Sequence, residues 1–203
     1  MTNLAILFDD TDTELGQYFT NCFQDVGKAV IDANIIIKSI NSQNSAYINQ
    51  IIGGLENLIF VGFTHGSSDN LGTQNGSSIF IDSGNAHLFS GSIFYTTACS
   101  CGEKLGKTLI QKGVKVFIGY NDVVNISNGF EEIFIKCENY GIKEFLNSSK
   151  SWYEIMLEIK KVYEEEADKL FDEGGYETLA GLELIQSRDK LCLLGDGSLR
   201  FPN

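Results

Sequence analysis

Short apolar runs alternate with stretches of helical periodicity along this chain, and that alternation narrows the possible folds more than any other feature. Leu4 to Phe8, Asn34 to Ile40, Leu58 to Gly66 with its histidine and glycine at the end, Ser92 up to Cys99, and Val114 to Tyr120 read as strands. Between them lie helical segments. Thr11-x-x-Glu14 predicts a capping box that opens an amphipathic helix with Phe19, Cys22, Phe23 and Val26 on one face. Ala46 to Ile52 predicts a short helix closed by Gly53-Gly54. Gly102 to Lys112 predicts another, closed by Gly113. Helices follow over about Asn128–Leu146, from Ser151 onward with a second capping box at Glu154, and over about Tyr176–Arg188. Ile79 to Ile81 reads as an edge strand or hairpin, in a region whose loop, Gly66 to Ser78, is rich in Gly, Ser and Asn. Leu191 to Leu194 and Ser198 to Phe201 read as a strand, a Gly turn and a last strand. Strands alternating with helices imply an α/β three-layer sandwich, its mostly parallel sheet of about six strands covered on both faces.

Nothing divides the chain. Residues 1–203 read as one domain, with no linker and no repeat at solenoid spacing. The formal net charge of −12 argues against nucleic acid; an acidic surface attracts basic peptides or basic protein patches, and it serves solubility equally well. No apolar run is long enough for a membrane span. The N-terminus lacks a secretory pattern and the cysteine count, five, is odd, so a reducing cytoplasm with free thiols is expected. Cys22, Cys137 and Cys192 sit in periodic apolar segments and read as core residues. No cofactor fingerprint or metal spacing is present: a Gly-x-Gly-x-x-Gly turn after the first strand, a second close Cys or His pair and the zinc-deaminase elements are all missing.

Three strand ends carry chemistry. Asp9-Asp10 follows the first strand, His65-Gly66 ends the third, and Cys99 ends the strand that starts at Ser92. In open α/β sheets, sites form beyond the carboxyl ends of the strands. A thiol beside an imidazole gains thiolate character, and the imidazole can protonate a leaving amine. Gly66 allows a close backbone approach, and the Cys99 amide is a natural second oxyanion donor. The other histidine, His87, lies among turn and apolar residues and is expected to be structural or on the surface. Paired aspartates after a first strand also mark phosphoacceptor receiver domains. Those need a further Asp after the third strand, where this chain has Thr64-His65.

In combination these motifs resemble the caspase-like cysteine peptidases, and within them the bacterial CHAT type, related to separase and gingipain. Phe63-Thr64-His65-Gly66 is similar to the family's histidine motif, and Thr97-Ala98-Cys99-Ser100-Cys101-Gly102 to its cysteine motif. Leu105 to Tyr120 is similar to the helix and strand that follow. Leu194 to Arg200 is similar to the family's ending, with Gly197 in place of Pro. The resemblance implies an endopeptidase with Cys99 as nucleophile, His65 as acid and base, and Gly66 and Cys99 as oxyanion donors. Cys101 is the rival nucleophile. The resemblance also implies a pocket for the residue before the scissile bond, built from Asp9, Asp10, Thr97 and Asp122. Carboxylates there predict cleavage after Arg or Lys. With no sensor or repeat module visible, a regulatory protein partner is expected to order the Gly66–Ser78 and Asn121–Gly129 loops. The alternatives are a catalytically silent interaction module and a thiol-dependent small-molecule hydrolase or acyltransferase.

Overall fold

A computed structural model describes residues 2–29, 34–39 and 45–201. Its centre is a six-stranded sheet. In chain order the strands are β1 (Asn3–Phe8), β2 (Asn34–Ser39), β3 (Leu58–Phe63), β7 (Ile93–Thr96), β8 (Val116–Tyr120) and β9 (Leu191–Gly195), arranged β2-β1-β3-β7-β8-β9. All neighbours run parallel except β9, which is antiparallel to β8. The last residue expected in β2, Ile40, lies outside the described residues.

Alternate residues of β1, β3, β7 and β8 enter opposite cores. Leu4, Ile6, Phe8, Ile59, Val61, Phe63, Tyr95 and Ile118 pack under α1 (Gly16–Ala29), α4 (Glu131–Asn147), α5 (Trp152–Glu173) and α6 (Glu177–Lys190). Ala5, Leu7, Phe60, Phe94 and Phe117 face α2 (Ser45–Ile52), α3 (Leu105–Gln111) and a 3-10 turn at Ala86–Phe89. A parallel strand buried on both faces has no polar alternation, which is why its sequence reads as a continuous apolar run. The expected α/β architecture with helices on both faces is therefore present.

Four local expectations need correction. First, Thr11 does not cap α1. Its hydroxyl is donated to Asp9 Oδ1 at 2.6 Å, and Asp12 Oδ1 takes over the cap, accepting the Glu14 and Leu15 amides at 2.9 and 2.6 Å. Second, α3 begins at Leu105 instead of Gly102. The Gly102 amide is donated back to Tyr120 O at 2.8 Å, and the Lys104 and Leu105 amides go to Ser68 O, so the intervening residues wind as turns. Third, the 66–78 region carries structure. β4 (His65–Gly66), β5 (Leu71–Gly72) and β6 (Ile79–Ile81) form a small antiparallel sheet. Fourth, Ser198 to Phe201 is not a sheet strand. The chain turns at Gly195 (φ 89°), and Arg200 forms only an isolated bridge with Ser151. The capping box at the start of α5 is present as expected: Ser151 and Glu154 exchange side-chain and backbone hydrogen bonds.

Candidate active site

β3 and β7 are parallel neighbours, so their carboxyl ends emerge side by side. Beyond β3 comes Thr64-His65-Gly66, and beyond β7 comes Thr97 to Cys101. The two segments are tied together at Gly62, whose carbonyl accepts from Thr96 Oγ1 at 2.9 Å and from the Thr97 amide at 3.2 Å. They are pressed together at Gly66. A Cβ on Gly66 would meet Cys101 Sγ at 2.5 Å and both Ala98 Cβ and Cys99 O at 2.8 Å. Glycine is thus required at position 66 for close approach of one strand end to the other. Gly66→Ala is expected to cost at least about 2 kcal/mol of stability, because part of what it strikes is backbone that cannot yield. Chemical denaturation measures this. A parent-like midpoint would mean that the two strand ends are not interlocked.

The Cys99 thiol is part-buried and occupied. It donates to Val124 O at 3.6 Å and accepts the Val124 amide at 3.4 Å. Burial pushes its pKa up, opposed mainly by the Val124 amide. The next residue, Ser100, stands at φ 57°, and its amide is donated to Asp122 O. The amides of Ala98, Ser100 and Gly102 are thus each committed, and that of Cys99 is not among them.

His65 is held elsewhere. Its Nε2 lies 3.1 Å from Asp12 Oδ2, with the oxygen off the line of a ring N–H, so the contact is electrostatic and not an aligned hydrogen bond. The edge-to-face Phe19 ring packs against the imidazole at 5.4 Å and 87°. The side chain keeps 20% of its surface exposed. No hydrogen bond links His65 to Cys99: the two side chains occupy adjacent strand ends, each engaged by a different neighbour.

Cys101 is a poor rival for Cys99. It is fully buried, its Sγ points at Asn70 O at 3.5 Å, and burial raises its pKa far above the ordinary thiol range. His87 is exposed in the 3-10 turn, away from both strand ends.

The residues expected to line one pocket divide between two places. Asp9 is buried, its Oδ1 held by Thr11 and its Oδ2 without a partner. With Asp12 and the β5–β6 hairpin residues Thr73, Gln74, Asn75 and Ser77, it lines an open groove of about 220 Å³. Asp10 is exposed at the strand end. Thr97 is buried and Asp122 is exposed, its Oδ1 accepting the Val123 amide at 2.7 Å. Neither lines the groove; Asp122 instead belongs to the turn under Cys99.

Sequence reasoning missed two members of the site. Asp12 could have been found as a capping residue preceding the amphipathic helix. Val124 leaves no local signal, since it meets Cys99 from 25 positions further along the chain. Among the described residues no cluster of three or more His, Cys, Asp or Glu could hold a metal ion, and no helix is long and apolar enough to cross a membrane. Comparison with protein-family models and with curated proteins finds no match to this chain.

Proposed function

We propose that this chain is a cysteine endopeptidase of caspase-like type, cleaving after Arg or Lys, with Cys99 as nucleophile and His65 as acid and base. The observation that carries the reading is the fit of Gly66 against Ala98 and Cys99, which sets the imidazole-bearing and thiol-bearing strand ends against one another on the carboxyl rim of the sheet. In the reaction the Cys99 sulfur attacks the peptide carbonyl. The uncommitted Cys99 amide, with that of Gly66, receives the oxyanion, and His65 protonates the departing amine. Basic preference is supported by Asp9. A buried carboxyl oxygen without a partner is costly, and an incoming guanidinium or ammonium group would offset that cost. The chain's acidity favours the same substrates.

In the resting arrangement Val124 occupies the thiol, so chemistry requires the segment from Asn121 to Gly129 to shift. That segment is anchored to α6 through Lys190 Nζ donating to Val123 O at 2.6 Å and through Ser127 donating to Glu183. Displacement of these anchors is the step assigned to a regulatory protein partner. The five thiols are free, which accords with a cytoplasmic setting. The engagement of Cys99 by Val124 favours one second reading, a catalytically silent caspase-like module.

A peptidyl electrophile ending in Arg separates the two readings. The peptidase is expected to be labelled at Cys99, with Asp9→Ala slowing labelling by roughly 10-fold or more for Arg but little for an apolar analogue. Absence of labelling with any peptide, while a small alkylating agent still reaches Cys99, would favour the silent module. Equal labelling by Asp- and Arg-terminated probes would remove Asp9 from the pocket.

A further inference from the structure

The two carboxyl oxygens of Asp12 face different tasks. Oδ1 caps α1 through the Glu14 and Leu15 amides, and Oδ2 is left over, 3.1 Å from His65 Nε2. The side chain is 7% exposed, so this contact is shielded from bulk water. Burial alone would raise the Asp12 carboxyl, but the two capping amides and the nearby ring hold it below its ordinary value. Seven residues along the same helix, Phe19 meets the imidazole edge-on. The start of α1 therefore engages the ring at one nitrogen through Asp12 and in a perpendicular ring contact through Phe19.

We propose that Asp12 is the positioning residue of the Cys99–His65 site: it fixes the His65 proton on Nε2 and leaves Nδ1 as the nitrogen that exchanges protons with thiol and substrate. The inference rests on the peptidase reading for its kinetic consequence, but not for its geometry. Nδ1 takes the proton of the Cys99 thiol as the sulfur becomes a thiolate. The imidazolium so formed is stabilised by the Asp12 carboxylate, and Nδ1 returns the proton to the leaving amine as the carbon–nitrogen bond breaks. Asp12 touches neither sulfur nor substrate, and acts only through the ring. The Nε2 contact is not an aligned hydrogen bond in the resting chain, and catalytic hydrogen bonds often tighten only in the reactive complex.

Asp12→Asn tests this cleanly, because Asn caps helices as well as Asp does and so preserves α1. Its carboxamide can present an N–H to Nε2, which then becomes the acceptor. In the full-length chain at one fixed pH, ring nitrogen NMR shifts of His65 are expected to show the proton on Nε2 in the parent and on Nδ1 in Asp12→Asn, with an unchanged melting temperature. On an Arg peptide, kcat is expected to fall by at least about 10-fold with KM within about 2-fold. Asp12→Ser, which keeps a capping oxygen too short to reach the ring, is expected to lose kcat similarly. An unchanged tautomer in Asp12→Asn, or parent-like kcat in both variants, overturns the proposal. If the parent cleaves nothing, the peptidase reading falls by itself, and the NMR measurement still decides the role of Asp12.

Discussion

Cys99→Ala is expected to lower cleavage of an Arg peptide by at least about 10³-fold while leaving the fold intact. The thiol is part-buried, makes its two hydrogen bonds only to Val124, and fills little volume, so its removal leaves no large cavity. His65→Ala is expected to lose activity on the same scale. The control is Cys101→Ala. That thiol is fully buried against Gly66 and Asn70, so its loss is expected to appear as about 1 kcal/mol of stability, with most of the turnover retained. Single-turnover assays beside melting curves separate the two effects. Activity surviving in Cys99→Ala but lost in Cys101→Ala would transfer the chemistry to the buried sulfur and overturn the site.

The second large effect concerns a group far from the rim. Glu138 on α4 is buried in the core, its Oε2 accepting the Tyr18 hydroxyl at 2.8 Å and its backbone carbonyl accepting that of Tyr95 at 2.5 Å. Burial pushes its pKa from the ordinary carboxylate range up to about 8, opposed only by the Tyr18 hydrogen bond. Around it stand Cys22, Tyr95, Tyr120 and Tyr163, none of them a cation. A folded-state pKa above the unfolded one means that the native protein holds the proton more tightly. The associated stability is fully present below about pH 4.5 and is lost as pH rises through about 8. Roughly 3–5 kcal/mol is at stake. The denaturation midpoint is therefore expected to decline steadily from mildly acidic to mildly alkaline solution. Glu138→Gln keeps the shape and a hydrogen-bond acceptor but cannot ionise, so it is expected to flatten the decline. An equally steep decline in Glu138→Gln would place the responsible proton elsewhere.

How far these features could be read in advance depends on the distance over which each is decided. The capping box of Ser151 and Glu154 was readable because both partners lie within one turn of helix. The first helix had the same kind of signal at Thr11 and Glu14, yet Asp12 caps it. Asp9, itself held at the end of β1, draws the Thr11 hydroxyl away. Cys99 and His65 could be placed on one rim because parallel strands must put their carboxyl ends together, whatever else packs around them. Their present partners could not be foreseen.

The chain's own pattern of apolar runs and strand-end polar residues determined the layered fold and put His65 and Cys99 at the carboxyl ends of parallel strands, because strand and helix periodicity act through near neighbours in the sequence. That position 66 must be glycine was decided by the tertiary fold, which brings Ala98, Cys99 and Cys101 against it. Tertiary structure alone decided that Val124 takes the Cys99 thiol, that Asp12 takes the His65 ring, and that the Thr73–Ser77 hairpin walls the groove at Asp9. Those contacts join segments whose relative placement is set by the whole core, and a few tenths of an ångström in that placement decide which polar atoms come within hydrogen-bonding distance.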